Sequence, residues 1–207
     1  MQMSVTRGLA ELKLLADRIE KTIEQSKYVA LKNGDKPVNG YKNDDEFKGN
    51  AKSNYDSVMA LIKRRQAIKS AIVQSNATTN VVIGGVTMTV AEAIERKGSI
   101  SLEKQLLEEL SDQYNSVLLA VQRENVKVQE RLDKLVESSF GQNTKVRDDQ
   151  YESIAKPFLE KNEASVVDPL DAKSIIAKLS ASIAEFEAEV DFTLSTSNAI
   201  TMITIPD

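Results

Sequence analysis

SNATTNVVIGGVTMTVAEAIERKGSIS, residues 75–101, decides how the rest of the chain is read. Asn80–Ile83 and Val86–Met88 are rich in β-branched side chains, and Gly84-Gly85 separates them. Two glycines between such runs fit a two-residue hairpin turn, whose residues need positive φ. Thr89-Val90-Ala91-Glu92 follows at once. This is a capping box, with Thr89 as N-cap and Glu92 reaching back to it. The chain should therefore pass from hairpin straight into a short helix over about 90–97, stopped by Gly98. A second helix should open at Ser99 or Ser101.

That second helix is the longest in the pattern. Leu107, Leu110, Tyr114, Val117, Val121, Val128, Leu132 and Leu135 hold a three–four spacing almost to Ser138, one stripe of an amphipathic helix. Glu124 and Asn125 put polar groups in the stripe, where they either fix register or mark where the helix leaves the core. Phe140-Gly141 closes it. Upstream, Leu9, Leu12, Ala16, Ile19 and Ile23 trace a helix from Ser4, ended by Asn33-Gly34. Another helix runs over about 54–74, with Val58, Ile62, Arg65, Ile68 or Lys69, and Ile72 tracing a less regular stripe. Its Lys63, Arg64, Arg65 and Lys69 read as a solvated or ion-paired face, with contact to an anionic partner as the other reading. Asp168-Pro169 opens the last long helix, with Asp168 as N-cap. Its stripe is Ile176, Leu179, Ile183, Phe186, Val190 and Leu194.

Segment 33–54 carries two Asn-Gly pairs, a Pro and scattered charge, and is expected to be an exposed loop. Tyr41 and Phe47 are its only large apolar groups. They either tack the loop onto the bundle or anchor a partner. Segment 141–168 reads as a connection containing a short helix around Tyr151, Ile154, Phe158 and Leu159, interrupted by Pro157.

One echo stands out. Ser75-Asn76-Ala77 and Ser197-Asn198-Ala199 each follow a helix, and each leads through one residue and a Thr into an apolar strand. A shared helix-to-strand turn is the physical reading, with Asn in the left-handed conformation. The terminal strand, Thr201–Ile205, alternates and should pair beside the hairpin, which would make three strands, the minimum for useful independent stability. Ile203 and Ile205 then have two roles open: burial on the bundle, or partner contact along a sheet edge. The expected fold is mainly α: a long-helix antiparallel bundle with a three-stranded β annex, one domain over 1–207.

The composition narrows function. Among 207 residues there is no His and no Cys. That removes the commonest general base, the commonest metal ligand, thiolate sites and disulfides. A net charge of −4 supplies no basic surplus for a phosphate backbone. No apolar run is long enough to span a bilayer, and residues 1–15 lack the basic-then-apolar order of a signal peptide. No Walker or Rossmann glycine loop occurs. The carboxylate groups 44–46, 108–109 and 148–149 are adjacent in sequence, so on a helix they diverge. Glu92 and Glu95 share a helix face and would suit a hard cation, although capping beside a solvated charge explains them as well. No catalytic, cofactor or metal residue is therefore assigned, and no cofactor is expected.

The order of features resembles the septicolysin-like family of small helical proteins. The carriers are GLAELKLLADRIEKTI, YVALKNGDKP, IVQSNATTNVVIGGVTMTVAEAIERK and VDPLDAKSIIAKLSASIAEFEAEVDFTLSTSNAITMITI. The resemblance implies a helical fold and no catalytic residues. Segments 33–54 and 141–168 look like insertions relative to it. The chain is also similar in style to accessory structural proteins of tailed phages. The expectation is a non-catalytic assembly protein, a homo-oligomer with protein partners, in the cytoplasm or a virion, with neither nucleic acid nor membrane involved. The alternative is a cytoplasmic module that binds a small ligand or a regulatory protein.

Overall fold

A computed structural model describes residues 1–141 and 147–206. Among the described residues the chain is mainly helical, with two small antiparallel strand pairs. In chain order the elements are β1 (Gln2–Ser4), α1 (Val5–Gln25), α2 (Asp44–Thr78), β2 (Asn80–Ile83), β3 (Val86–Thr89), α3 (Val90–Phe140), α4 (Asp148–Asn162), α5 (Ala172–Ile200) and β4 (Met202–Thr204). They fall into two compact units, one made of Met1–Gly98 with Glu185–Asp207, the other of Ser99–Ala184.

The first unit holds both strand pairs. β2 and β3 form the expected hairpin, in the register Asn80↔Thr89 to Ile83↔Val86. Gly84 and Gly85 take φ of +55° and +72°, values that glycine adopts without a Cβ penalty. A Cβ on Gly84 would also lie 3.2 Å from that of Glu185. Thr89 caps α3 as read: its Oγ accepts from the Glu92 N–H at 3.1 Å, and its own N–H donates to the Glu92 carboxylate at 2.7 Å. The helix does not stop at Gly98, however. α3 is continuous for 51 residues, because one interior glycine costs only about 1 kcal/mol and Gly98 takes no left-handed turn.

The three-stranded annex is not what forms. β4 pairs with β1, in the register Gln2↔Thr204, Met3↔Ile203, Ser4↔Met202, while β2 and β3 make a separate sheet. A three-residue strand at residues 2–4 is too short for its pattern to be read in the sequence. The Ser-Asn-Ala echo is nevertheless a shared turn. The Thr79 N–H donates to the Ser75 carbonyl and the Thr201 N–H to the Ser197 carbonyl, both at 2.9 Å. Asn76 and Asn198 lie inside the last helical turns, without positive φ.

Ile203 and Ile205 enter a core with Met3, Val5, Leu15, Ile68 and Ile72. On α1 the buried stripe is Val5, Gly8, Leu12, Leu15 and Ile19, rotated from the expected one, so that Leu9 and Ile23 face outward. Gly8 explains the shift. A Cβ there would sit 3.1 Å from Ile203 Cδ1 and 3.2 Å from Ile72 Cδ1; the position is core, yet carries no apolar side chain to announce it. α1 runs antiparallel to the second half of α2: Gly8 meets Ile68 and Ile72, Glu11 accepts from Arg64 Nε at 3.0 Å, and Ile19 lines a groove with Ile62.

Two boundaries move. α1 ends at Gln25, where Ser26 is extended and its hydroxyl donates to the Thr22 carbonyl at 2.6 Å. α2 begins at Asp44, ten residues before the sequence reading placed it, because Asn43 caps it through the Glu46 N–H at 2.8 Å. The non-helical segment is thus 26–43, not 33–54, and its Val38 is buried.

The second unit contains the greater part of α3, all of α4 and the start of α5. The connection 141–168 includes five residues outside the described ones; the rest is mostly α4, which continues through Pro157. Asn125, polar within the α3 stripe, holds the segment after α4. Its Nδ2 donates to the Ala164 carbonyl at 2.9 Å and its Oδ1 accepts from the Ala164 N–H at 2.7 Å. Asp168 accepts from the N–H groups of Leu170 and Ala172, and α5 starts at Ala172 rather than at Pro169.

Candidate interaction surfaces

The carboxylate groups named in the sequence sit at helix starts or along exposed helix. Asp44, Asp45 and Glu46 occupy the first turn of α2, where negative charge is favourable against the helix dipole. Lys32 Nζ lies 2.6 Å from Asp44 and holds its carboxyl below the ordinary range. The Glu92 carboxyl is also held low, by the backbone and then the side-chain hydrogen bond from Thr89. That places Glu92 in its cap, not aimed at a cation. Among the described residues no group of three or more metal-type ligands converges, and no helix is long and apolar enough to cross a membrane.

Tyr41 and Phe47 meet edge to face, ring centroids 5.2 Å apart at 75°, a preferred aromatic geometry. Both are half-buried. They close the end of segment 26–43 onto the first turn of α2. Ile203 and Ile205, the other candidate contacts, are almost wholly inside the core. They hold the terminal sheet and present no surface to a partner.

Sequence reasoning missed the more exposed apolar groups. Val29 and Leu31, 89% and 81% exposed, lie on the extended stretch after α1, where a helix running to Asn33-Gly34 is expected from the sequence. On α5, Phe192 and Ile200 are 76% and 73% exposed. They line a groove of about 280 Å³ with Val81 and Thr201. The Ile183–Phe186–Val190 stripe is buried, and Phe192 stands off it, a residue whose apolar character was there to be counted.

The second unit buries little. Its buried apolar residues, among those described, are Ile100, Val128, Leu132, Ala155 and Ile183, while Leu102, Leu106, Val117, Leu118, Leu119, Val126, Val167 and Leu170 are exposed. A groove of about 280 Å³ runs between Leu110, Tyr114 and Val117 of α3 and Val166, Val167, Pro169 and Leu170. What these surfaces offer chemically is apolar area.

Comparison with protein-family models, with curated proteins and with solved structures gives no match.

Proposed function

We propose that the chain is a non-catalytic structural or assembly protein that acts through protein–protein contacts, most simply with further copies of itself. The exposed apolar surface of the second unit carries this reading. On α3, Leu102, Leu106 and Val117 fall within about 60° of one another at 3.6 residues per turn, beside the half-buried stripe of Leu107, Leu110, Tyr114 and Val121. Contiguous apolar surface left in water marks sites of association, and a narrow stripe is the seam by which helices pair. The resemblance to tailed-phage accessory proteins makes a virion a natural setting.

The test is Leu102→Glu, Leu106→Glu and Val117→Glu together. The reading expects the helical circular dichroism to persist and the mass in solution to fall. An unchanged mass would reject the α3 stripe as the contact.

The second reading, a module that binds a small ligand, rests on the groove between α3 and residues 166–170. It expects a monomer whose melting temperature rises with an apolar ligand, and substitution of Tyr114 by Ala to abolish that rise.

A further inference from the structure

We infer that the chain is an internal duplication, two copies of one strand–helix–helix–strand unit, the second with α4 set between its two long helices, that exchange their outer strands, and that the interface between them is one a second copy of the chain can fill. The Ser-Asn-Ala turn is only one of the features that repeat. Met3-Ser4-Val5 and Met88-Thr89-Val90 both end a strand and open a helix. Ser4 accepts from the Arg7 N–H at 3.3 Å, and Thr89 accepts from the Glu92 N–H at 3.1 Å. The Val5 N–H donates to the Thr201 carbonyl and the Val90 N–H to the Thr79 carbonyl, at 3.0 and 2.8 Å.

The two ladders match without a slip. Met3↔Ile203 and Ser4↔Met202 correspond to Met88↔Val81 and Thr89↔Asn80. Burial follows the same correspondence: Val5 with Val90, Gly8 with Ala93, Ile203 with Val81, Ile205 with Ile83. Even the surface repeats. Gln74, Ser75 and Ile203 line one groove, their counterparts Thr196, Ser197 and Val81 line another, and Thr79 and Thr201 belong to both.

The first copy is residues 1–83 and the second 86–205, each sheet taking one strand from each copy. Neither copy pairs its own two strands. Gly84-Gly85 is the covalent link between them, and a second chain offers the same strands in the same register, the condition for reciprocal exchange.

The first test is Gly84→Val with Gly85→Thr, which disfavours the positive-φ turn and lets β2 run on into β3. It is made in the chain that also carries Leu102→Glu, Leu106→Glu and Val117→Glu, so that contact through α3 does not contribute. The expected result is a mass doubled from 22.9 kDa with the helix signal unchanged. A monomer that keeps its helix signal overturns the inference. The second test places a protease site between Gly84 and Gly85 of the otherwise native chain. After cleavage the two pieces should migrate together with undiminished helicity, and pieces that separate or unfold overturn the inference. If the turn variant loses its helix signal, the cleavage experiment decides alone.

Discussion

Asn125→Leu tests whether the polar break in the α3 stripe is a fastening point. The wild-type side chain makes two hydrogen bonds to the backbone of one residue, Ala164, at 2.9 and 2.7 Å. Leu removes both and leaves a half-buried N–H and carbonyl to find other partners. An unsatisfied buried group costs roughly 1–3 kcal/mol. Partial access to water brings the pair together to about 1.5–3 kcal/mol. Leu is also the better helix former, by about 0.5 kcal/mol, so the net loss should be about 1–2.5 kcal/mol. For a chain of this length that lowers the melting temperature by roughly 2–10 °C, as followed by circular dichroism. Hydrogen exchange should rise first at Ala164 and its neighbours. Asn125→Asp keeps the acceptor and loses the donor, and should fall between the two. A melting temperature unchanged in Asn125→Leu would refute the fastening role.

Three further outcomes follow from the first unit. Ile203→Ala opens a cavity beside Gly8 and Ile72 and should cost about 2–4 kcal/mol in a urea titration, whereas a loss below about 0.5 kcal/mol would place Ile203 outside the core. Glu92→Gln should narrow its deficit in stability as the pH falls. The Glu92 carboxyl is depressed in the folded state, so its contribution is present above the unfolded value near 4.3 and is lost as pH falls through the folded value; a deficit that does not shrink at acid pH would contradict the cap. Trypsin should cut first in segment 26–43, at Lys27, Lys32 or Lys42, all outside regular helix, and first cuts inside α1 or α2 would show that segment to be protected.

Much of the fold was legible where local chemistry speaks alone. Gly84-Gly85 demanded a turn, Thr89 and Glu92 announced a cap, and the alternation of Thr201–Ile205 put Ile203 and Ile205 on one apolar face while leaving burial and partner contact both open. The failures have equally definite causes. Asn43 and Glu46 carry the same cap-and-acid signature as Thr89 and Glu92, but it was submerged in a run rich in Asn, Gly and Lys. Gly98 looks like a stop, yet an exposed glycine in a long helix only weakens it. Gly8 is core although it has no side chain to show it, and a Cβ there would press on the tips of Ile203 and Ile72, a closeness set by tertiary packing. Strand pairing is likewise tertiary: nothing in Met-Gln-Met-Ser says that it meets residues two hundred positions away. Of the four candidate contacts, Tyr41 and Phe47 came together and Ile203 and Ile205 went inside. The exposed groups on α3 and α5 follow from burial, which periodicity does not report.

Association is the central claim, and the mass of the untagged chain in solution tests it most directly. Sedimentation equilibrium over a wide range of concentration should give a defined multiple of 22.9 kDa. A single species of 22.9 kDa at every concentration would contradict it.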